Sequence, residues 1–351
     1  MERGLRPDLP ALSDSDPSYS PLDLPVAVWW VEWEGGSPLF FPVCEGKSPG
    51  KTFSRALATH LRLSVCEAAR RGAPPCGVKS GGQALDCRDA AGCHAQWLYK
   101  PRAADGAKNY PRPVLVWAPA LEERRPVTRF AVRLVLWGRV ALGSGPRVMD
   151  ALLGLEEKGI ELAGQVARVR LVDVKQGAAQ TLGERVELVR EQRPMSALLA
   201  FSTSFIHTQT LVREGDVRDR GTIASGQLPL AEILANVAYE TTAWDIEDRG
   251  AVGEASPLMH RHTNARQARE AAREAAYGVQ VIASRLEPAY GGMARSKGNA
   301  QGYPENGFWG WAQISGNLQP LLPWLAALSL AGGGQHRADG FGVVGVGWGR
   351  D

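Results

Sequence analysis

The chain has 351 residues, 44% of them hydrophobic, with a formal net charge of +3. That is ordinary globular composition, long enough for two cores, and its mildly basic balance admits a nucleic-acid partner only if cations cluster locally. Apolar runs are broken by proline or glycine well short of ~20 residues, which excludes a membrane-spanning helix, and five cysteines, an odd set, supply no disulfide framework.

Residues 1–22, beginning MERGLRPDLPALSDSDPSYS, lack the apolar core of a signal peptide and read as a flexible arm, so a cytoplasmic location is expected. A first strand is expected over Val26–Trp33, rich in β-branched and aromatic residues and buried on much of both faces. Leu39–Val43 is a candidate short strand. Over Lys51–Arg70 the apolar residues Phe53, Leu57, Leu61 and Val65 recur every four positions, which predicts an amphipathic helix. Residues 72–96, rich in glycine, proline and cysteine, read as an inserted loop. Val127–Trp137 alternates as a strand, Pro146–Lys158 as a short helix, and Val166–Val174 as a strand again.

Strand–helix–strand–strand–helix–strand is the ferredoxin-like, RRM-related order, here expected over residues 23–180. A second copy of that pattern, without sequence repeat, is expected over residues 187–351. It comprises a strand over Ser196–Gln209, a helix over Leu230–Ala243, strands around Glu287–Arg295 and Trp309–Ile314, a helix over Leu318–Leu330 and a last strand over Phe341–Trp348. Pro320 and Pro323 are tolerable in the first turns of that last helix. The fold class is thus α+β, two tandem ferredoxin-like domains.

One segment stands outside this plan. Met259–Ser284, within an insertion of about residues 245–280, starts as a polar Ala/Arg/Glu helix and turns apolar near Tyr277. His262, Arg266, Arg269 and Arg273 fall 4, 3 and 4 residues apart and so share a helix face. A solvated helix laced by pairs such as Arg266–Glu270 is the plain reading; a basic arm whose stripe stays uncancelled is the functional one.

Ala331–Gly349 (AGGGQHRADGFGVVGVGWG) is a glycine loop, residues 331–342, running into a strand. Helix, glycine loop, strand is the reverse of a dinucleotide or P-loop fingerprint, where phosphate meets a helix amino end. Gly46–Thr52 (GKSPGKT) invites a P-loop NTPase reading, yet three residues rather than four separate its glycines and Pro49 removes an amide donor. Cys66, Cys76, Cys87 and Cys93, with His94, lack the close pairs usual in structural zinc sites.

This glycine loop resembles that of the CRISPR precursor-RNA-processing endoribonucleases of the RAMP superfamily. So do Arg295-Ser296-Lys297, Gly307-Phe308-Trp309-Gly310, Gly316-Asn317-Leu318, the opening Leu198–Ser204, and Leu228-Pro229-Leu230 before a helix. Near the amino end, Gly50 before a helix and Trp97–Pro101 belong to the same likeness. The resemblance implies recognition and cleavage of a CRISPR repeat hairpin, retention of the mature crRNA, partnership with other effector subunits, and no cofactor. The basic insertion suggests the type IV form. The chief alternative is a non-catalytic RAMP subunit that holds RNA in an effector complex.

No HExxH, nucleophile elbow or Asp/Glu cluster is present, so attack by the RNA's own 2′-hydroxyl, leaving a 2′,3′-cyclic phosphate, is the expected chemistry. Histidine suits its proton transfers, lysine and arginine its developing charge. By the resemblance, His60 takes proton transfer, with His336 the next candidate, and Arg55 with Lys51 takes charge stabilisation. Arg55 lies about 140° around the helix from His60 at about 100° per residue. His60 is expected to point sideways from its helix. His262, Arg266, Arg269, Arg273, Arg295, Lys297, Gly333, Gly334, His336 and Arg337 are the expected RNA contacts, with no metal ligand.

Overall fold

The computed structural model describes residues 21–41, 49–65, 113–118, 125–162, 165–205, 209–212, 218–221, 228–252, 261–296, 299–334 and 342–349. In the first half these form β1 (Pro25–Leu39), α1 (Pro49–Val65), β2 (Val114–Trp117), β3 (Val127–Trp137), α2 (Arg139–Gly143), α3 (Gly145–Lys158), the short β4 (Ile160–Leu162) and β5 (Gln165–Ala167), β6 (Val169–Gln176), β7 (Gln180–Thr181) and α4 (Leu182–Arg190). The second half holds β8 (Ser196–Phe205), a small β9–β10 pair (Gln209–Val212, Arg218–Gly221), α5 (Leu230–Ala251), α6 (Arg261–Ala276), β11 (Val279–Ser296), β12 (Asn299–Gly316), α7 (Leu322–Ala331) and β13 (Val344–Gly349).

The main sheets run β2-β3-β1-β6 and β11-β12-β8-β13, antiparallel at every pairing. Each puts its first strand between the third and the fourth, with the second at an edge. That is the ferredoxin-like order, twice. Local chemistry sets the helices. α3 buries Val148, Ala151, Leu152 and Leu155, a 3.6-residue period, and stops at Gly159. α4 begins with a capping box, Thr181 Oγ1 accepting the Glu184 amide at 3.1 Å while Glu184 Oε2 accepts the Thr181 amide at 2.6 Å.

The first sheet has two differently used faces. Ala27, Trp29, Val31 and Trp33 of β1 point to α1 and α3 and form one core with Phe53, Leu57 and Leu61. Phe41, Phe53 and Phe130 close it edge-on, at centroid distances of 5.2 and 5.3 Å around Phe130. On the other face Val26, Leu115, Trp117, Val135 and Trp137 join the core of the second half, with Trp244 of α5 and most of α7.

The sequence-based boundaries need several corrections. The first helix starts at Pro49, and its expected extension over 66–70 lies outside the described residues, as do the cysteine-containing insertion and the amino-terminal arm up to residue 20. The single strand Val166–Val174 is two, β5 and β6, interrupted at Arg168. α5 runs on to Ala251 because Trp244 and Ile246 are still buried. The expected helical arm ends at Ala276; Val279–Ser284, read as its apolar end, is the start of β11 paired with β12. After Gly278 the β-branched Val279, Val281 and Ile282 suit a ladder better than a helix.

A tight joint follows β3. Gly138 has φ +100°, and a Cβ there would lie 2.7 Å from Asp248 Oδ1 and 2.9 Å from Trp244 Nε1. Gly138→Ala should therefore destabilise the fold by about 1–3 kcal/mol through strain and overlap. Gly143→Ala, with open space at its Cβ, should be neutral to about 1 kcal/mol stabilising. Denaturant unfolding of the two variants checks the contrast.

Candidate functional site

Helix α1 presents the expected catalytic group in an unexpected place. Phe53, Leu57 and Leu61 seat it on the first sheet, and His60 is 9% exposed. Its ring lies in the seam with α3, where a Cβ on Gly154 would be 2.8 Å from Nδ1. His60 therefore points into a helix–helix contact, not sideways to solvent. Burial lowers its pKa from 6.5, the Lys158 charge lowers it further, and Glu157 opposes both. Arg55 is exposed, its carbonyl accepting the Thr59 hydroxyl at 3.1 Å. Lys51 stands in the first turn of the helix.

The glycine loop has a closed neck. The Gly333 amide donates to Gly342 O at 3.0 Å. Gly332 has φ +67°, and a Cβ there would meet Gly342 O at 2.5 Å and the Trp117 ring at 3.3 Å. At Gly333 it would meet Leu328 at 2.8 Å and the Phe205 ring at 2.9 Å. Gly333 is thus required by packing, and Gly334 beside it is half-buried. His336 and Arg337 lie outside the described residues. The neck and α1 approach the same edge strand from opposite faces: α1 packs with Val114 and Val116 of β2, the neck touches Trp117.

The basic row on α6 is divided. Buried Ala265, Ala272 and Ala276 lay the helix along α5. Glu232 of α5 accepts from Arg273 through Nε at 2.9 Å and Nη2 at 3.1 Å, and lies 3.8 Å from Arg269. Arg273 also donates to Glu270. These carboxylates, Glu232 first, raise the Arg273 pKa. The expected uncancelled stripe is corrected accordingly: Arg269 and Arg273 face an acid, Arg266 is exposed, and His262 sits in the first turn. Arg295 is a β11 position, and Lys297 lies outside the described residues.

A second concentration of cations was not anticipated. On the face of the first sheet away from α1, Trp30 is 50% exposed and has Arg133 and Lys175 as its direct cross-strand partners. With Val28, Gln176, Gly177 and Arg185 of α4 they line an open groove of about 430 Å³. Arg133 lies 4.6 Å from the Trp117 ring centroid and donates through Nη2 to Ser329 O at 3.3 Å, while its Nε has no hydrogen-bond partner among the described residues. Burial, then the neighbouring Arg185 charge, brings its pKa down to about 10. Arg185 is shifted down by burial as well. The sequence signal was an arginine interrupting the apolar alternation of Val127–Trp137, on the face it shares with Trp30.

No family model matches this sequence, and no curated protein does. Solved structures do. A Thermus thermophilus Cas6 in a product complex matches with a TM-score of 0.52 and 17% identity, over 92% of this chain and 99% of that one. This is the Cas6 fold. A partial Cas6-RT-Cas1–Cas2 complex matches with a TM-score of 0.52 and 11% identity, over 94% of this chain but 47% of that one. A P-loop sits in a strand–loop–helix crossover unit whose strands pair in parallel, whereas both main sheets here are antiparallel throughout their described residues, so the fold gives the P-loop reading no support; Gly46–Ser48 of its motif lie outside the described residues. No group of three His, Cys, Asp or Glu side chains among the described residues could hold a metal ion.

The His60 environment has a measurable consequence. Its folded pKa lies below the unfolded value, so the stability tied to the neutral ring is present above about pH 6.5 and is lost as the pH falls through the folded pKa. His60→Gln should remove that acid-side loss, seen as a flatter dependence of denaturation midpoint on pH between about 5 and 7.

Proposed function

We propose that this protein is a CRISPR repeat-RNA-processing endoribonuclease. The observation that carries this reading is the match, over nearly the whole of both chains, to a Cas6 bound to its product. The glycine neck and α1 converging on β2 support the same reading, since they bring a backbone-rich loop and a histidine-bearing helix to one edge.

In this reading the RNA 2′-oxygen attacks the adjacent phosphorus, the bond to the 5′-oxygen breaks, and a 2′,3′-cyclic phosphate and a 5′-hydroxyl result. His60, neutral at pH 7, accepts the 2′-hydroxyl proton, Arg55 with Lys51 balances charge on the phosphorane, and the departing 5′-oxygen takes a proton from the His60 imidazolium or from water. No metal ion takes part. The main chain of Gly334, with His336 and Arg337 of the same loop, holds the RNA backbone, and Gly333, whose amide donates to Gly342 O, serves by closing the neck beneath it. Arg266, His262, Arg295 and Lys297 add phosphate contacts, and the cleaved RNA stays bound. Arg269 and Arg273 contribute only where the RNA displaces Glu232. The type IV form loses its motive, because it rested on a projecting basic helix.

The second reading, an RNA-holding subunit without cleavage, is favoured by one observation: the seam with α3 confines His60. Labelled repeat RNA incubated with the protein in EDTA decides between them. Cleavage to a cyclic-phosphate end is expected, and His60→Ala should slow single-turnover cleavage by about 10²-fold or more. Tight retention with no cut would establish the second reading instead. Wild-type rates in His60→Ala would move proton transfer to His336 or the arginines.

A further inference from the structure

The groove on the far side of the first sheet combines features that no single structural role explains. Trp30 is 50% exposed, which leaves a large part of its indole available to an aromatic ligand. It sits in a row across three strands, Arg133–Trp30–Lys175, so cations flank it on both sides. Lys175 is partly answered by Asp173 at 3.7 Å and Glu32 at 4.0 Å, and Glu32 is also held by Arg129 at 2.9 Å. At the other end the balance differs. Among the described residues neither Arg133 nor Arg185 has an ion-pair partner, although each is desolvated and the Arg185 charge adds to the cost of charging Arg133. Two such guanidinium groups are poised for an anion between them.

Size narrows the class of ligand. About 430 Å³ suits one small organic group and is far too little for a duplex. An indole face beside paired arginines fits an aromatic base joined to a phosphate. Position selects its source. Arg133 stacks on Trp117, and the far edge of Trp117 is what the neck of the glycine loop touches at Gly332. The groove and the neck are thus separated by about the width of one buried ring, Trp117 being 1% exposed.

We propose that this groove is a subsite for one unpaired nucleotide of an RNA strand, the base stacked on Trp30 and the phosphate held between Arg133 and Arg185. It rests on the RNA reading above and extends it to a second, single-stranded contact on the opposite side of the sheet from α1. The lining supplies stacking and charge, with Gln176 its one uncharged polar side chain, so the subsite selects chiefly for an unstacked base rather than for a particular one.

The test is fluorescence anisotropy of a labelled, unstructured oligoribonucleotide, with AMP as competitor, run on the intact chain. Trp30→Ala should weaken oligonucleotide binding roughly ten-fold, since stacking contributes about 1–3 kcal/mol per base, and Trp30→Phe much less. Arg185→Ala should weaken it and reduce the salt slope by about 0.7, one phosphate's worth. Far-ultraviolet circular dichroism and melting of each variant separate lost binding from lost folding. AMP competing as well as the oligonucleotide, with the same dependence on Trp30, would overturn the strand and assign the groove to a free nucleotide. Unchanged binding of both ligands in well-folded Trp30→Ala and Arg185→Ala would overturn the site altogether. Repeat cleavage is scored separately: Trp30-dependent binding without cleavage sinks the nuclease reading and leaves the groove, and cleavage with Trp30-independent binding does the reverse.

Discussion

The Asp248 carboxylate is the tie on which the arrangement of the two halves depends. It is fully buried, and it accepts the backbone amides of Arg139 at 2.6 Å and Val140 at 3.0 Å, donors that the start of α2 would otherwise leave unmet. Burial pushes its pKa up while those two amides and the Arg139 guanidinium pull the other way. Arg139 also reaches Asp245, and Trp244 Nε1 donates to Trp137 O at 3.2 Å. All of these bonds join the end of β3 to α5. An ionised group buried this deeply is tolerable only with such partners, so the joint is specified by chemistry as well as by shape.

With β3 fixed to α5, the first sheet becomes a wall with a different use on each side. One side takes α1 and α3 and encloses His60 in their seam. The other side is half covered by the second unit and half open. The covered part buries Trp117 and Trp137; the open part carries Trp30 and Arg133. The boundary between them is drawn by α4 and α7, since Arg185 comes from the first and Ser329 O from the second. Exposed aromatic surface and unpaired charge thus occur at the place where the shared core runs out.

Strongly alternating segments made much of this legible in the sequence. Val127–Trp137 and the α3 stripe are read correctly because burial repeats with the period of the element. β2, only four residues long and buried at every one, carries no period to read. The helix–strand change near Gly278 is hidden by the run of small residues before it, and tertiary pairing with β12 decides it. The fate of the α6 row was invisible for another reason. Glu232 lies 41 residues before Arg273, and no spacing rule connects them. His60 shows the same limit, because its neighbour Gly154 belongs to a different helix. The groove residues at 30, 133 and 175 meet only through strand register, and Arg185 joins them from α4.

Gly154 carries a consequence of its own. A glycine within a helix gives up about 1 kcal/mol of helix propensity relative to alanine. Here the missing Cβ leaves room for an imidazole, and that vacancy sets how closely two helices stand. The distance between α1 and α3 is thus gauged by one absent methyl group. Any side chain there would have to displace the His60 ring or wedge α1 away from α3. The placement of α1 therefore answers to a single apolar position on another helix, 94 residues further along the chain than the imidazole it accommodates.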